Sequence, residues 1–309
     1  MMAPTAQPML FQKKPEWFKV RREHGEGYRD LKRIMRRLAL HTVCEEARCP
    51  NVYECWNQRT ATVMILGDLC TRACRFCNVR WGRPGTVDPE EPARVAEAIA
   101  VMGLDFAVIT SVNRDDLPDG GASIFAATIR AIRQRLPACG IEVLIPDFQG
   151  DANALRVVVD AKPDVIAHNV ETVPRLYRRI QPWDRYQWSL ELFERVTTCD
   201  PCIVTKSGII VGMGETKEEL LEVMRDLRAR GVGILTIGQY LPPTPRHYPL
   251  DRYYSLAEFE ELRRIGHELG FGHVEAGPLV RSSYRAGEQY ASYLQRRGTG
   301  SGVAVSSSL

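Results

Sequence analysis

Cys70, Cys74 and Cys77 lie within TVMILGDLCTRACRFCNV, residues 62–79, at the spacing C-x3-C-x2-C. The apolar run at 63–66 just before them predicts a short buried strand, which Gly67 and Asp68 end. Three thiols are thereby gathered on one loop past a strand end. Structural zinc takes four ligands, usually as two C-x2-C pairs, so three thiolates from one loop better suit a cubic iron–sulfur cluster with one iron left open. A thiol–disulfide reading of Cys74 and Cys77 alone leaves Cys70 without a role, and three unrelated buried thiols are the bland alternative. Cys44, Cys49 and Cys55 stand just upstream at C-x4-C-x5-C in CEEARCPNVYECW. This second triad suggests a second cluster, with Pro50 stiffening the loop between its ligands.

The elements that must position these loops read as an α/β chain. Strands are expected near 62–67, 106–110, 141–146, 164–168, 203–211 and 232–238. Helices are expected near 91–102, 122–136, 151–161, 172–198 (broken at Pro182), 216–230 and 255–269, with an amphipathic helix at 28–40 leading into Cys44. Alternation of this kind means βαβ units, right-handed crossovers and a parallel sheet. Six units fit a partial barrel whose chemistry sits at the C-terminal strand ends, which puts Cys70–Cys77 at the mouth. Other strand ends carry polar residues that strand propensity does not explain: Thr110, Ser111, Asn113, Asp115 and Asp116; His168, Asn169 and Glu171; Lys206 and Ser207; and the turn Gly212 to Glu215. Together they predict one pocket, although His168 alone reads as a core histidine and Asp115 or Asp116 alone as a helix cap. Gly212 and Gly214 complete no phosphate-loop motif. Cys199 and Cys202 precede the fifth strand, at the wrong end of the barrel for the mouth, and Cys139 sits in a turn.

Length and composition bound the rest. A chain of 309 residues can bury one large core, and a net charge of +3 gives no global reason to expect nucleic acid. No apolar run approaches a membrane span and the N-terminus lacks a secretory apolar region, so a cytoplasmic protein away from membranes is expected. Six of the nine cysteines fall between Cys44 and Cys77, which in a reducing compartment favours metal over disulfides. Residues 1–15 and the tail GTGSGVAVSSSL read as mobile. The ten Lys or Arg from Lys13 to Arg37, against four acids, predict either a solvated helix face or a dock for an acidic protein.

With Phe76 before its last cysteine, the first triad resembles the cluster motif of radical S-adenosylmethionine (SAM) enzymes, in which SAM occupies the open iron. Adding C-x4-C-x5-C, RSSY at 281–284, TSVNRDDLPDGG, HNVET, TKSGIIVGMGET, IGQYLPP and EAGPLV, the chain from about Pro15 to Gly287 resembles the lipoyl synthases. The resemblance implies a partial (β/α)6 TIM-like barrel at 61–276, an N-terminal cluster-binding extension at 1–60, and a C-terminal segment at 277–309 folding back over the mouth. It implies two 4Fe–4S clusters, one on Cys70, Cys74 and Cys77, the other on Cys44, Cys49, Cys55 and Ser283. The second cluster would supply sulfur for C6 and C8 of an octanoyl chain on a carrier lysine, with two SAM consumed per product. Implied partners are octanoylated lipoyl carrier domains (2-oxoacid dehydrogenase E2 or glycine-cleavage H protein), an electron donor such as flavodoxin or ferredoxin, and a cluster-assembly carrier. SAM itself is expected on Thr110, Ser111, Asn113, Asn169, Glu171 and Lys206, since a zwitterion and a ribose need converging polar groups. An unactivated C–H bond offers no acidic proton and no electrophilic centre, which explains why no Ser–His–Asp or paired-carboxylate set is visible. Tyr53, Gln181 and Arg285 depart from the family pattern without touching a cluster ligand. Biotin synthase-like and methylthiotransferase-like enzymes are the nearest competing readings, and the former place second-cluster ligands inside barrel strands rather than ahead of the first. A non-catalytic iron–sulfur or zinc carrier would leave the polar strand ends unused.

Overall fold

The computed structural model describes residues 13–20, 23–58 and 60–300. The N-terminal extension comprises α1 (Glu26–Arg37), a short strand β1 (His41–Thr42), α2 (Val43–Glu46) and α3 (Val52–Asn57). Then come β2 (Thr62–Ile65), the two-residue strands β3 (Leu69–Cys70) and β4 (Arg80–Trp81), and α4 (Glu91–Met102). The alternation continues through β5 (Phe106–Ser111), α5 (Ala122–Arg135), β6 (Gly140–Leu144), α6 (Ala152–Asp160), β7 (Val165–Ala167), α7 (Tyr177–Ile180) and α8 (Tyr186–Cys199). It closes with β8 (Val204–Val211), α9 (Lys217–Ala229), β9 (Ile234–Gln239), α10 (Leu256–Glu268), β10 (His273–Gly277) and α11 (Ala286–Gly300). The main sheet runs β1-β2-β5-β6-β7-β8-β9-β10, with β1 antiparallel to β2 and every other pairing parallel. Its two edges, β1 and β10, are not paired with each other, so the barrel is partial. The six expected strands are present, and β10 adds a seventh parallel one.

Local sequence accounts for these elements. In α4, Val95, Ala98, Ile99 and Met102 recur at helical spacing and are buried, and Gly103 at φ 65 ends the helix in the left-handed conformation that glycine takes without a Cβ clash. Capping boxes start α9 at Thr216 and Glu219 and α10 at Ser255 and Glu258. Strands β2 and β9 are buried at every position, as strands covered on both faces must be. The C-terminal helix α11 crosses the opposite end of the barrel from the mouth, where Tyr290 packs on Phe106 and Tyr293 lies against Gly233 and Gly272. The GTG of the expected mobile tail ends this helix; residues 301–309 and 1–12 lie outside the described residues. No helix among the described residues is long and apolar enough to cross a membrane.

One buried ion pair joins two strands. Lys206 on β8 donates to both carboxylate oxygens of Glu142 on β6 at 2.9 Å, and both side chains are almost wholly buried. Removing one partner of such a pair strands the other charge, at about 3–5 kcal/mol, whereas replacing both by apolar groups is nearly neutral. Lys206→Met should therefore destabilise the protein by roughly 3–5 kcal/mol in chemical denaturation. The double variant Lys206→Met, Glu142→Leu should recover most of that loss, and an unchanged midpoint for the single variant would show that the pair carries no such weight.

Candidate active site

The first cysteine loop is built at the end of β2. Leu66 at φ 68 and Gly67 at φ 87 turn the chain sharply, and the buried carboxylate of Glu91 accepts from Leu66 N at 2.8 Å. Pairing of Leu69 with Arg80 and of Cys70 with Trp81 closes the loop at its base, and Gly82 N donates to Cys70 O at 2.9 Å. Thr71 N and Oγ1 both donate to Asn113 O at 3.0 Å, and Asp115 N donates to Thr71 Oγ1 at 3.1 Å. The loop is thus stitched to the end of β5. Its far side is held by His247, whose Nε2 donates to Cys77 O at 3.0 Å.

Arg72, between Cys70 and Cys74, is the strongest tie. Its side chain is buried and donates to both oxygens of Asp115 (2.7 and 2.8 Å), to Asp147 (2.7 Å) and to Asp184. These aspartates follow β5, β6 and α7, so one guanidinium holds three crossover ends against the cysteine loop. Burial disfavours its charge, but the carboxylates outweigh burial and keep it firmly protonated. Asp184 Oδ2 in turn lies 3.8 Å from Cys74 Sγ.

The nine cysteines form no disulfide among the described residues. No three of them have Sγ atoms all within 4.8 Å of one another among the described residues. Tetrahedral zinc with bonds of 2.3 Å would bring its thiolates to about 3.8 Å from each other, closer than any three of these thiols stand among the described residues. Burial, and next the neighbouring Asp184, pushes the Cys74 thiol up, while burial raises Cys77 to about 11. In the second loop Thr42 caps α2 by accepting from Glu45 N at 3.3 Å, Cys49 N donates to Cys44 O at 3.0 Å, and Cys55 N donates to Asn51 O at 2.9 Å. Burial, then the adjacent thiols, raises Cys44 to about 11 and Cys55 to about 12. Metal loading of either triad must therefore displace protons.

The C-terminal RSSY turn meets this second loop. Asn51 Nδ2 donates to Leu279 O at 2.7 Å, and Tyr284 Oη donates to Glu54 Oε1 at 3.0 Å, which brackets Ser283 between two anchors on the cysteine loop. Arg281 lies within electrostatic reach of both Cys49 and Glu171. Asn78 Nδ2 donates to Glu46 O at 2.7 Å and joins the two cysteine loops directly.

Of the residues expected to hold SAM, Asn113 touches the first loop, and Asn169 and Glu171 hold each other. Asn113 N donates to Cys70 Sγ at 3.3 Å, and Asn169 Nδ2 donates to Glu171 Oε1 at 3.1 Å. Ser111 Oγ, Asn113 Oδ1 and Asn169 Oδ1 are buried without a partner among the described residues. Orphaned buried oxygens are costly, and three at the ends of β5 and β7 fit a polar ligand that would satisfy them. Glu171 stands at φ 62, held by a bridge to Ile209, and burial raises its carboxyl to about 7 against the opposing hydrogen bond from Asn169. Thr110 is less available, since its hydroxyl donates to Leu144 O at 3.0 Å. Lys206 does not join the set: its ammonium is committed to Glu142 inside the barrel, because a lysine buried between strands needs a carboxylate more than a ligand does.

Several other expectations resolve into structural roles. His168 is a satisfied core histidine, its Nδ1 donating to Ile145 O and its Nε2 meeting Ser189 Oγ, both at 2.9 Å. Asp115 and Asp116 are not caps; they pair with Arg72 and Arg114. Glu215 accepts from Gly212 N and Met213 N, closing its own turn. Cys199 and Cys202 are exposed at the end of α8, away from the mouth. The departures are also placed: Tyr53 stacks on Tyr28 at 5.4 Å, Gln181 Nε2 donates to Val170 O at 3.1 Å, and Arg285 pairs with Glu54.

Comparison with known proteins follows the same division. Residues 64–227 match the Radical SAM superfamily, and residues 7–49 match the N-terminal domain of lipoyl synthase of that family. Lipoyl synthase of Rubrobacter xylanophilus is 60% identical over 276 residues, 89% of this chain and 86% of that one. Lipoyl synthase of Chloroflexus aggregans is 56% identical over 283 residues, 92% of each chain. The chain belongs to the lipoyl synthase family. As a lipoyl synthase it is a radical-SAM sulfurtransferase that uses SAM and two 4Fe–4S clusters. Solved structures similar in fold include methylornithine synthase, with TM-score 0.52 at 15% identity over 76% of this chain and 72% of that one. A maturase of FeFe-hydrogenase gives TM-score 0.55 at 15% identity over 74% and 54%.

The Arg72 knot yields a test. Lysine keeps the charge but has no planar fork to meet three carboxylates. Arg72→Lys should lower the melting temperature and halve the iron retained after anaerobic reconstitution, with the second triad still loaded. Full iron content in this variant would remove Arg72 from the site's construction.

Proposed function

We propose that Cys70, Cys74 and Cys77 hold the cluster that binds SAM, and that Cys44, Cys49, Cys55 and Ser283 hold the second. The enzyme acts on octanoylated lipoyl carrier proteins, and the reading assigned to it is sulfur insertion at C6 and C8 of the octanoyl chain. The observation that carries the residue assignment is the meeting of the RSSY turn with the Cys44–Cys55 loop. When bound, SAM and its cluster supply the radical that removes hydrogen from an unactivated carbon, and the second cluster supplies sulfur.

The chain's own residues bind, orient and exclude water. Ser111, Asn113 and Asn169 offer the unpartnered oxygens that would accept from an amino group or ribose hydroxyls. Glu171 is pre-set by its left-handed backbone, a strain of about 1–3 kcal/mol that its bridge to β8 sustains. Arg281 supplies a cation near both sites and suits a carboxylate, a role first expected of Lys206. Asn51 and Tyr284 hold Ser283 against the second cysteine loop. An oxygen ligand is harder to deprotonate than a thiol and binds soft iron less firmly, so a serine there favours a site that comes apart during turnover.

The decisive assay is anaerobic: an octanoyl-lysine peptide, SAM and dithionite, with lipoyl product detected by mass spectrometry. Zinc with little iron in anaerobically purified protein would instead support a carrier role. Cys74→Ala should abolish 5′-deoxyadenosine formation and keep about half of the iron, because the triads are separate ligand sets. Retained SAM cleavage in that variant would overturn the assignment of the first triad. Ser283→Cys should keep its full iron yet form little product, and product at the wild-type rate would show that the oxygen ligand is dispensable.

A further inference from the structure

Above the first cysteine loop lies a rim of exposed cations and aromatic side chains. Arg75 sits between Cys74 and Cys77; its N donates to Ile180 O at 2.7 Å and its carbonyl accepts from Tyr248 N at 2.8 Å. The cysteine loop, α7 and the segment around 244–248 therefore form one continuous edge. Arg178, Arg179 and Arg246 are exposed along it, and neither they nor Arg75 has a carboxylate partner among the described residues. Asp115, Asp147 and Asp184 are turned inward onto Arg72, and Asp251 lines the same cavity as Arg179 and Tyr248. Two tryptophans flank the edge. Trp81 is 70% exposed and is paired in register with Cys70; Trp183 is 46% exposed and adjoins Asp184. Isolated cations on a surface are normal, but unpaired arginines beside exposed tryptophans have the composition of an interface core.

The N-terminal basic segment looks different. Arg33, Arg36 and Arg37 of α1 pair with Asp30, Glu45 and Glu97, so much of its charge is already matched. Arg21 and Arg22 of that segment lie outside the described residues.

We propose that the octanoylated carrier domain docks on this mouth rim, setting an acidic face against Arg178, Arg179 and Arg246 and apolar surface against Trp81 and Trp183. The inference rests on the reading of the site given above. The substrate arm is one lysine side chain and one octanoyl chain, and its reactive carbons must reach the space between the two cysteine triads. The body of the carrier cannot then stand farther from the mouth than that arm allows, which makes the rim its seat and the rim's charge its selector. Rim charges act mainly on the encounter rate and its salt dependence. The peptide-sized part of the substrate gains nothing from them.

The test uses the reconstituted holoenzyme with dithionite as reductant, so that no electron-transfer protein takes part. The variant Arg178→Glu, Arg179→Glu, Arg246→Glu should raise KM for the octanoylated carrier about tenfold at low salt and flatten its salt dependence. Turnover of a short uncharged octanoyl-lysine peptide should stay at the wild-type level, as should carrier turnover by the variant Lys13→Glu, Lys14→Glu, Lys32→Glu. An unchanged KM for the carrier, with the peptide still turned over, would overturn the rim while leaving the proposed reaction standing. Equal loss on carrier and peptide would also overturn it, because the arginines would then serve the chemistry or the fold. A defect seen only when an acidic electron-transfer protein replaces dithionite would assign the rim to the reductant instead. Wild-type enzyme that turns over neither substrate would count against the reaction itself.

Discussion

A single buried guanidinium fixes the geometry on which this mouth depends. Arg72 gathers Asp115, Asp147 and Asp184, which lie 43, 75 and 112 positions away in the chain, onto the loop that presents Cys70, Cys74 and Cys77. Ordering a loop costs about 1–2 kcal/mol of backbone entropy per residue, and a loop of glycine-flanked thiols has little apolar surface with which to offset it. Charge-assisted hydrogen bonds in a site shielded from water supply the difference, because they are roughly twice as strong as neutral ones. The aspartates do not share the cation equally. Burial pushes Asp115 up, but the Arg72 fork overrides it and leaves the carboxyl below its ordinary range; for Asp184 burial wins and the carboxyl is raised. Three carboxylates around one cation leave surplus negative charge, and Asp184 brings part of it to Cys74.

This knot was not legible in the sequence. Arg72 stands in a loop among thiols with no motif to mark it, Asp115 alone reads as a helix cap, and Asp147 and Asp184 carry no signal of their own. Only the parallel order of the sheet shows that the ends of β5, β6 and α7 converge. Lys206 illustrates the opposite error: a polar residue in a strand was expected to serve the pocket, yet it answers Glu142 two strands away. A single charged residue inside each of two buried strands was the available signal. Strands β2 and β5 to β9, and the helices between them, followed from apolar runs and helical periodicity, because both faces of the sheet are covered and the pattern has no competing cause; the two-residue strands β3 and β4 were not expected. Strand β10 was missed because its HVEAG is short, polar at alternate positions and lies at an edge. The helix α11 was missed because its burial depends on aromatic contacts with strand starts far away in sequence.

The two triads raise a different problem, since nothing local relates a loop at 44–55 to a turn at 281–284. The open side of the partial barrel solves it. Strand β1 and β10 are the sheet's free edges, and the chain leaving β10 spans the gap between them, with Asn51 and Glu54 receiving it on the far side. A closed eight-stranded barrel would have no such gap, and the second cysteine loop could not then approach the mouth from the side. The incompleteness of the barrel is thus what gives the second site access to the first.

Arg281 shows how closely the two sites are joined. Burial works against its charge, while Cys49, Glu171 and a hydrogen bond to Val280 O at 2.6 Å work in its favour. Cys49 belongs to the second loop and Glu171 to the end of β7, so a single cation is stabilised by one group from each site. The turn carrying Arg281 is also the one that carries Ser283, with one residue between them. Movement of that turn would shift the guanidinium of Arg281 and the hydroxyl of Ser283 together by simple chain connectivity.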